Sequence, residues 1–408
     1  MYWQVKFMKV KNKAEVVIVG GGVSGCALAY YLAKTGVDVA LIEREFLTRG
    51  ATGCCPGGIR QQFGIERPEL IKLVMGSVKI FKTLSEELKS DLEYTQKGYL
   101  FPIFTEEELV GYEENLRGQR SLGLDVRFLH PDDVKEHEPL LDVDGLGIIG
   151  ANFCQEDGTG NPFKVTHAFA KVAKKFGASF YKYTVVEAIK EKKGKITSVK
   201  TSRGEIKTNI VVNAAGGNSR DIAKMLGVQL PNLPISEEEI ISEPLKPIIN
   251  TVTYARNLSP SLPGIFVHQT KSGEIIGSAK ARLAKDTSST LSFLNNTASR
   301  LIRYYPALKH VNALRTWTGV QDWTPDLLPI LGPTDDVESF IQFNGLSGVG
   351  FMLAPQCAKL LAEIIVTGKP STLSDVVESL NLRRFKGTEP LTYEKWASRP
   401  KARSPTLM

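Results

Sequence analysis

One stretch constrains the fold more than any other: "AEVVIVGGGVSGCALAYYLAKTGVDVALIERE", residues 14–45. Ala14–Val19 is a short apolar run, read as a buried strand. Glycines follow at once, then a helical pattern from Ser24 to Thr35 that Gly36 ends. Val37–Ile42 is a second apolar run, closed by Glu43. The whole is a strand–turn–helix–strand unit, and Gly20, Gly22 and Gly25 fall in the G-x-G-x-x-G spacing. Each glycine answers a physical need. Gly20 permits the tight turn, Gly22 lets backbone approach a pyrophosphate, and Gly25 lets the helix pack on the strand. The helix N-terminus at Val23 and Ser24 offers free N–H groups and the positive end of a dipole to phosphates. Glu43, with Arg44 beside it, stands where a carboxylate binds ribose hydroxyls. A dinucleotide cofactor is expected here.

Composition sets the limits around that unit. With 408 residues the prior is two or three domains. Hydrophobic residues at 42% and charged residues at 23% are ordinary for a globular chain, so a sizeable core is expected rather than disorder. The net charge of +7 gathers partly in "MKVKNK" near the start and in "RRFKG" and "RPKARS" near the end. No aromatic-interleaved basic face or nucleic-acid motif accompanies it, so no nucleic-acid partner is expected. Five cysteines without CxxC spacing argue against a disulfide framework or a zinc ribbon, and no metal is expected. No secretory leader is read at the N-terminus, and the apolar runs look too short to span a membrane. The expected location is cytoplasmic, with membrane contact at most peripheral.

Two further glycine-rich segments lie far along the chain. "VVNAAGGNS" (211–219) reads as a strand ending in small residues, so that Ala214, Ala215 and Gly216 leave room for a large ligand. "GLSGVGFMLAP" (345–355) leads into a helix, and its N–H groups could stabilise negative charge on a flavin ring. Three separated motifs point to one cofactor domain assembled from 14–92, 147–222 and 316–385. Segments 93–146 and 223–315 would form the substrate domain, with 1–13 and 386–408 as tails. The acid at Glu43 does not separate NAD from FAD; a second glycine loop so distant favours a long cofactor touching several segments.

These motifs carry a resemblance to a known family. Four stretches carry it: residues 16–45; "GATGCCPGGIRQQFG" (50–64); "DGTGNPFKVTHAFAKVAKKFGASF" with "VVNAAGG"; and "TGVQDWTPDLLPILGP" with "GLSGVGFMLAP". The chain resembles the FAD-dependent D-amino-acid oxidase superfamily. Within it the likeness is to the sarcosine oxidase β-subunit, glycine oxidase and dye-linked proline dehydrogenase β-subunit group. The resemblance implies an α/β fold: a Rossmann-like, glutathione-reductase-type FAD domain with an inserted α+β substrate domain on a mostly antiparallel sheet. It implies FAD with its adenosine end at Gly20–Gly25 and Glu43. It places the segment holding Ala51, Thr52, Gly58 and Ile59 near the isoalloxazine, and Gly348, Val349, Gly350, Phe351 and Met352 at its pyrimidine side. Val186 and Gly319 complete the expected cofactor contacts. Many relatives carry a histidine inside the second glycine loop, and some a lysine after its phenylalanine; this chain has Val349 and Met352.

Amine oxidation by a flavin needs a neutral amine, a Cα held close to flavin N5 for hydride transfer, and a carboxylate anchor for orientation. Arginine suits that anchor because it is always charged and grips a carboxylate with parallel N–H bonds. Arg60 is the candidate, and by resemblance its "GIR" matches an arginine that binds substrate carboxylate in sarcosine oxidases. Gln62, Tyr254 and Trp323 are candidate pocket residues, and His268 a candidate base. Gln61 and Gln269 are weighed beside them, and Lys271 and Lys280 as groups for oxygen activation. Cys54 and Cys55 read as small residues fitting beside a flat ring. The expected activity is oxidation of a small amino or imino acid, of the proline, sarcosine or N-alkyl glycine class. Electrons would pass to a quinone, a dye or oxygen, with further subunits of a multi-subunit dehydrogenase as candidate partners. Rival readings on the same scaffold are a 2-hydroxy-acid or glycerol-3-phosphate dehydrogenase, and a flavin-binding subunit or assembly factor with little activity alone.

Overall fold

The computed structural model describes residues 9–255, 264–282, 286–337 and 339–397. Its first layer is a six-stranded sheet in the order Ile330–Pro333, Phe340–Asn344, Ile210–Asn213, Val16–Val19, Val39–Ile42 and Ser179–Tyr181. All neighbours are parallel except the first pair. The period-two rule explains how this sheet is covered. Val16 and Ile18 face a helical layer and pack with Leu28, Leu32 and Leu353. Val17 and Val19 face the other way, onto Ile189, Val199 and Ile206 of an antiparallel meander, Val186–Lys192, Lys195–Thr201 and Gly204–Lys207.

The helix Val23–Lys34 is buried on nearly every face because it packs against both Pro162–Lys175 and Gly350–Thr367. Its small residues Ala27 and Ala29 permit that approach. Burying a side chain such as Leu28 or Leu32 contributes about 1.5–3 kcal/mol. By length and composition Gly350–Thr367 could cross a membrane, which reading apolar runs had not registered. In the fold it is a core helix, packed on Val23–Lys34 and on Pro68–Glu87.

The second sheet has eight strands: Ala313–Trp323, Leu233–Pro244, Glu274–Arg282, Ile265–Gln269, Val252–Ala255, Tyr99–Ile103, Gly150–Cys154 and Val126–Leu129. Only the pairing of Val252–Ala255 with Tyr99–Ile103 is parallel, so the sheet is mostly antiparallel, as expected. The helix Leu291–Tyr304 covers one face through Phe293, Leu301 and Tyr304.

Four boundaries differ from the sequence reading. Gly150–Cys154 pairs within the second sheet, although the sequence put it in the cofactor domain. Residue 316 falls inside the strand Ala313–Trp323, which also belongs wholly to the second sheet. The segment after 385 is not simply a tail: Leu391 is buried against Leu233, Ile235 and Trp323, and the Trp396 ring sits 4.8 Å from that of Trp323. At the other end Val10 is buried in the meander layer.

Candidate active site

A cavity of about 1710 Å³ runs between the two sheets. A pocket for one drug-sized ligand measures roughly 300–1,000 Å³, so this one has room for a large cofactor and a substrate together. The three glycine motifs meet on its wall because the parallel sheet puts their strands side by side, with Val16–Val19 bonded to Ile210–Asn213 and that strand to Phe340–Asn344. Gly20 has φ +119°, and a Cβ there would lie 2.3 Å from the Ala214 carbonyl oxygen. The first two motifs therefore touch backbone to backbone, which only glycine permits. A Cβ at Gly25 would lie 2.0 Å from the Gly20 oxygen, so Gly25 serves the packing of helix on turn and does not itself line the cavity.

Glu43 ends its strand with one carboxylate oxygen accepting from Gly21 N (2.7 Å) and the other from Glu45 N (2.8 Å). A carboxylate has about four acceptor sites, so capacity remains for hydroxyls. Thr52 Oγ1 accepts from Val23 N at 3.1 Å and ties the 51–54 turn to the first helix. Neither Gly22, the N-cap of that helix, nor Val349, the N-cap of Gly350–Thr367, caps its helix with its own side chain, and at the first end Thr52 takes the Val23 N–H alone. Both ends open on the same cavity.

The sequence profile described as "FAD dependent oxidoreductase" (DAO) matches residues 15–364. The chain belongs to this family. Among solved structures it is similar to L-proline dehydrogenase from P. horikoshii, at 34% identity and a TM-score of 0.87, covering 94% of this chain and 100% of that one. Glycine oxidase from Geobacillus kaustophilus aligns at 25% identity and a TM-score of 0.84, covering 92% and 99%. Among curated proteins, sarcosine oxidase subunit beta of Rhodobacter capsulatus is 27% identical over 382 residues, 92% of this chain and 89% of the relative.

The cavity of this FAD-dependent oxidoreductase fits its cofactor on its own residues. Two helix ends suit phosphates and an electron-rich ring, and the acid at Glu43 suits a ribose. At Gly216, φ +53°, nothing stands within 4 Å of where a Cβ would be, so the 211–219 segment leaves open space. Asp322 holds the second glycine loop in place. Its carboxylate accepts from Gly345 N (2.9 Å) and Asn232 Nδ2 (2.8 Å), and its carbonyl accepts from Ser347 N (2.9 Å). Burial pushes its pKa up to about 6.

Arg60 is 4% exposed on the cavity wall. Its Nη1 donates to the Gln62 carbonyl at 3.0 Å. Its guanidinium carbon lies 4.2 Å from the Phe63 ring centre, 5.2 Å from Tyr254 and 5.6 Å from Phe101. Among the described residues no carboxylate pairs with it. A buried cation held by ring faces and one backbone carbonyl keeps its remaining N–H donors for something else.

The expected cofactor and substrate residues all line the cavity except four. Gly25 is explained above. Ile59 is fully buried in the two-stranded pairing of Gly58–Ile59 with Gly158–Thr159. Gln62 turns inward, donating from Nε2 to the Tyr99 carbonyl (3.1 Å) and to Asp157 (3.2 Å). His268 bonds through Nε2 to the Pro56 carbonyl at 2.7 Å, and burial drives its pKa down to about 3. A neutral ring fixed on a backbone carbonyl and off the wall is no base, so the assignment to His268 is corrected to a structural one. Gln61 and Gln269 are likewise structural, bonded to Asp157 and to the Gly273 carbonyl. Lys271 pairs with Asp91 at the surface. The Lys280 side chain lies outside the described residues.

Cys54 Sγ contacts the Thr318 carbonyl, and Cys55 Sγ accepts from Gly57 N. Burial raises both thiols, Cys55 to about 12, so neither is a thiolate at neutral pH. Sequence reasoning passed over Asp157, Asp322, Trp396 and the pair Glu237 and Glu239. Asp322 had a signal, because it sits inside the stretch "TGVQDWTPDLLPILGP". Asp157 had the same signal, opening the stretch "DGTGNPFKVTHAFAKVAKKFGASF"; nothing in the sequence marked Trp396, Glu237 or Glu239.

Proposed function

We propose that the chain oxidises a small amino or imino acid of the proline, sarcosine or N-alkyl glycine class, and that Arg60 takes the substrate carboxylate. The observation that carries this reading is the buried guanidinium on the wall of the cofactor cavity with no carboxylate of its own. The relatives named L-proline dehydrogenase, glycine oxidase and sarcosine oxidase subunit beta support the class.

When bound, FAD supplies the two-electron acceptor for oxidation at Cα. The residues of the chain do the rest by placement. Arg60 fixes one end of the substrate by two parallel bonds, which limits its rotation. Phe63, Phe101 and Tyr254 surround the guanidinium and exclude water, strengthening that pair. Phe266 and Tyr254 roof the cavity from the second sheet. The relative named sarcosine oxidase subunit beta supports a place in a multi-subunit enzyme, with a quinone, a dye or oxygen as the proposed acceptor.

The test is anaerobic bleaching of the purified FAD-loaded chain with a panel of proline, sarcosine, glycine, lactate and glycerol 3-phosphate. Bleaching by an imino or N-alkyl amino acid is expected. Bleaching by lactate or glycerol 3-phosphate alone would overturn the reading, as would no bleaching by any of them.

A further inference from the structure

The cavity holds a second group of buried charge that the proposed chemistry does not use. Glu237 and Glu239 lie two residues apart on the strand Leu233–Pro244, so both point to one face, and both line the cavity. Glu239 is 2% exposed, and its Oε2 has no hydrogen-bond partner among the described residues. Glu237 accepts from Gln321 Nε2. No lysine, arginine or histidine among the described residues pairs with either acid. Burial first, and then the charge of Glu237, push Glu239 well above the usual carboxylate range.

Strand register fixes where this acid stands relative to Arg60. Glu239 is directly opposite Ser278, Ser278 opposite Phe266, and Phe266 opposite Tyr254. All four line the cavity in one row across the roof. Neighbouring strands are about 4.8 Å apart, so Glu239 stands about 14 Å along the row from Tyr254, the residue that stacks on Arg60. Among the described residues, one end of the cavity thus carries a buried cation without an acid, and the other a buried acid without a cation. Buried polar groups are normally satisfied, and leaving one bare costs about 1–3 kcal/mol. The two do not pair with each other in the structure. A ligand with both charges can satisfy both.

We propose that Glu239, assisted by Glu237, forms a cation subsite, and that the substrate is an amino acid with a second, positively charged amine several bonds from the carboxylate that Arg60 holds. This rests on the Arg60 reading and extends it. The reacting amine is neutral and stays near the carboxylate; the distal amine remains charged. Burial and the charge of Glu237 raise Glu239, so an ammonium seated beside it favours the carboxylate and displaces to solvent the proton the acid holds.

The probes are ω-amino carboxylates from 4-aminobutyrate to 8-aminooctanoate, each paired with the alkyl carboxylate of equal length. Binding to the FAD-loaded chain is followed by perturbation of the visible spectrum. Calorimetry in two buffers of different ionisation heat counts released protons. At one chain length the ammonium compound is expected to bind at least tenfold more tightly than its partner, with proton release. In Glu239→Gln, with melting temperature and FAD content unchanged, that preference should fall below threefold. Equal binding in every pair of the wild-type series overturns the proposal, whether or not the variant folds. So does a preference that survives Glu239→Gln, or a variant that alters the flavin spectrum and FAD retention yet keeps the preference, which would make the acid a cofactor contact. Bleaching by proline or sarcosine without any ammonium preference sinks this inference alone. Absence of bleaching by every amino acid sinks the reading beneath it.

Discussion

Asp157 grips Gln61 twice, accepting its backbone N–H at 2.8 Å and its side-chain Nε2 at 3.1 Å. The same carboxylate takes Gln62 Nε2, so one buried acid fixes the two residues that follow Arg60. Arg60 in turn donates to the Gln62 carbonyl. Asp157 is therefore a positioning residue for the guanidinium, although it does not line the cavity.

Asp157→Ala leaves three donors without their acceptor, at about 1–3 kcal/mol for each one that water does not reach. The expected kinetic result is a KM raised on the order of tenfold, with kcat less affected and FAD content retained. A pH profile separates this from general loss of structure. Burial raises Asp157 to about 6, so protonation below that value removes acceptor capacity. KM should rise in the wild type as pH falls through about 6, and Asp157→Asn should lack that inflection. A profile identical in the two proteins would exclude the coupling.

Arg60→Ala should raise KM for the carboxylate substrate about 30–100-fold while the chain still binds FAD. The figure corresponds to loss of a buried charge-assisted pair, about 2–3 kcal/mol. Arg60→Lys keeps the charge and loses the fork, so it should recover only part of the affinity. Unchanged steady-state kinetics in Arg60→Ala would remove the residue from the site.

The second glycine loop on the cavity wall depends on Asp322. Its carboxylate holds Gly345 N and Asn232, and its backbone holds Ser347. Asp322→Ala should weaken FAD binding about 10–100-fold, read by fluorescence recovery on cofactor release, because the loop and its buried partners lose their acceptor. FAD affinity equal to wild type would show that the loop holds its shape without this acid.

Much of this was legible in the sequence, and the reason lies in distance along the chain. Val16–Val19, Gly20–Gly25 and Glu43 form one local unit whose periods and spacing are read directly. Arg60 stood out because a lone cation followed a glycine run. Which way a polar side chain points is a different matter. His268 reaches Pro56, 212 residues away, and Gln62 reaches Asp157, 95 residues away; pairing between remote segments decides both. Trp396 lies past the last helical motif in a basic stretch, and only its contact with Trp323 reveals that it packs. Glu237 and Glu239 sit in "SEEEII", which reads as a solvated acidic run until the sheet puts two of its glutamates inside a cavity.

The corrected role of His268 has a consequence for acid stability. Its folded pKa, about 3, lies below the ordinary 6.5, so the native state binds fewer protons than the unfolded chain between those values. The sign follows: its contribution is complete above about 6.5 and is lost as pH falls. From pH 7 to pH 5 the loss is about 2 kcal/mol, at 1.36 kcal/mol per unit. His268→Gln keeps a donor for the Pro56 carbonyl and cannot titrate. It should be less stable than wild type at pH 7 in urea unfolding, with the gap shrinking by about 2 kcal/mol at pH 5. A gap that stays constant over this range would mean that His268 titrates normally in the native state, and its neutrality, the ground for excluding it as a base, would fall with it.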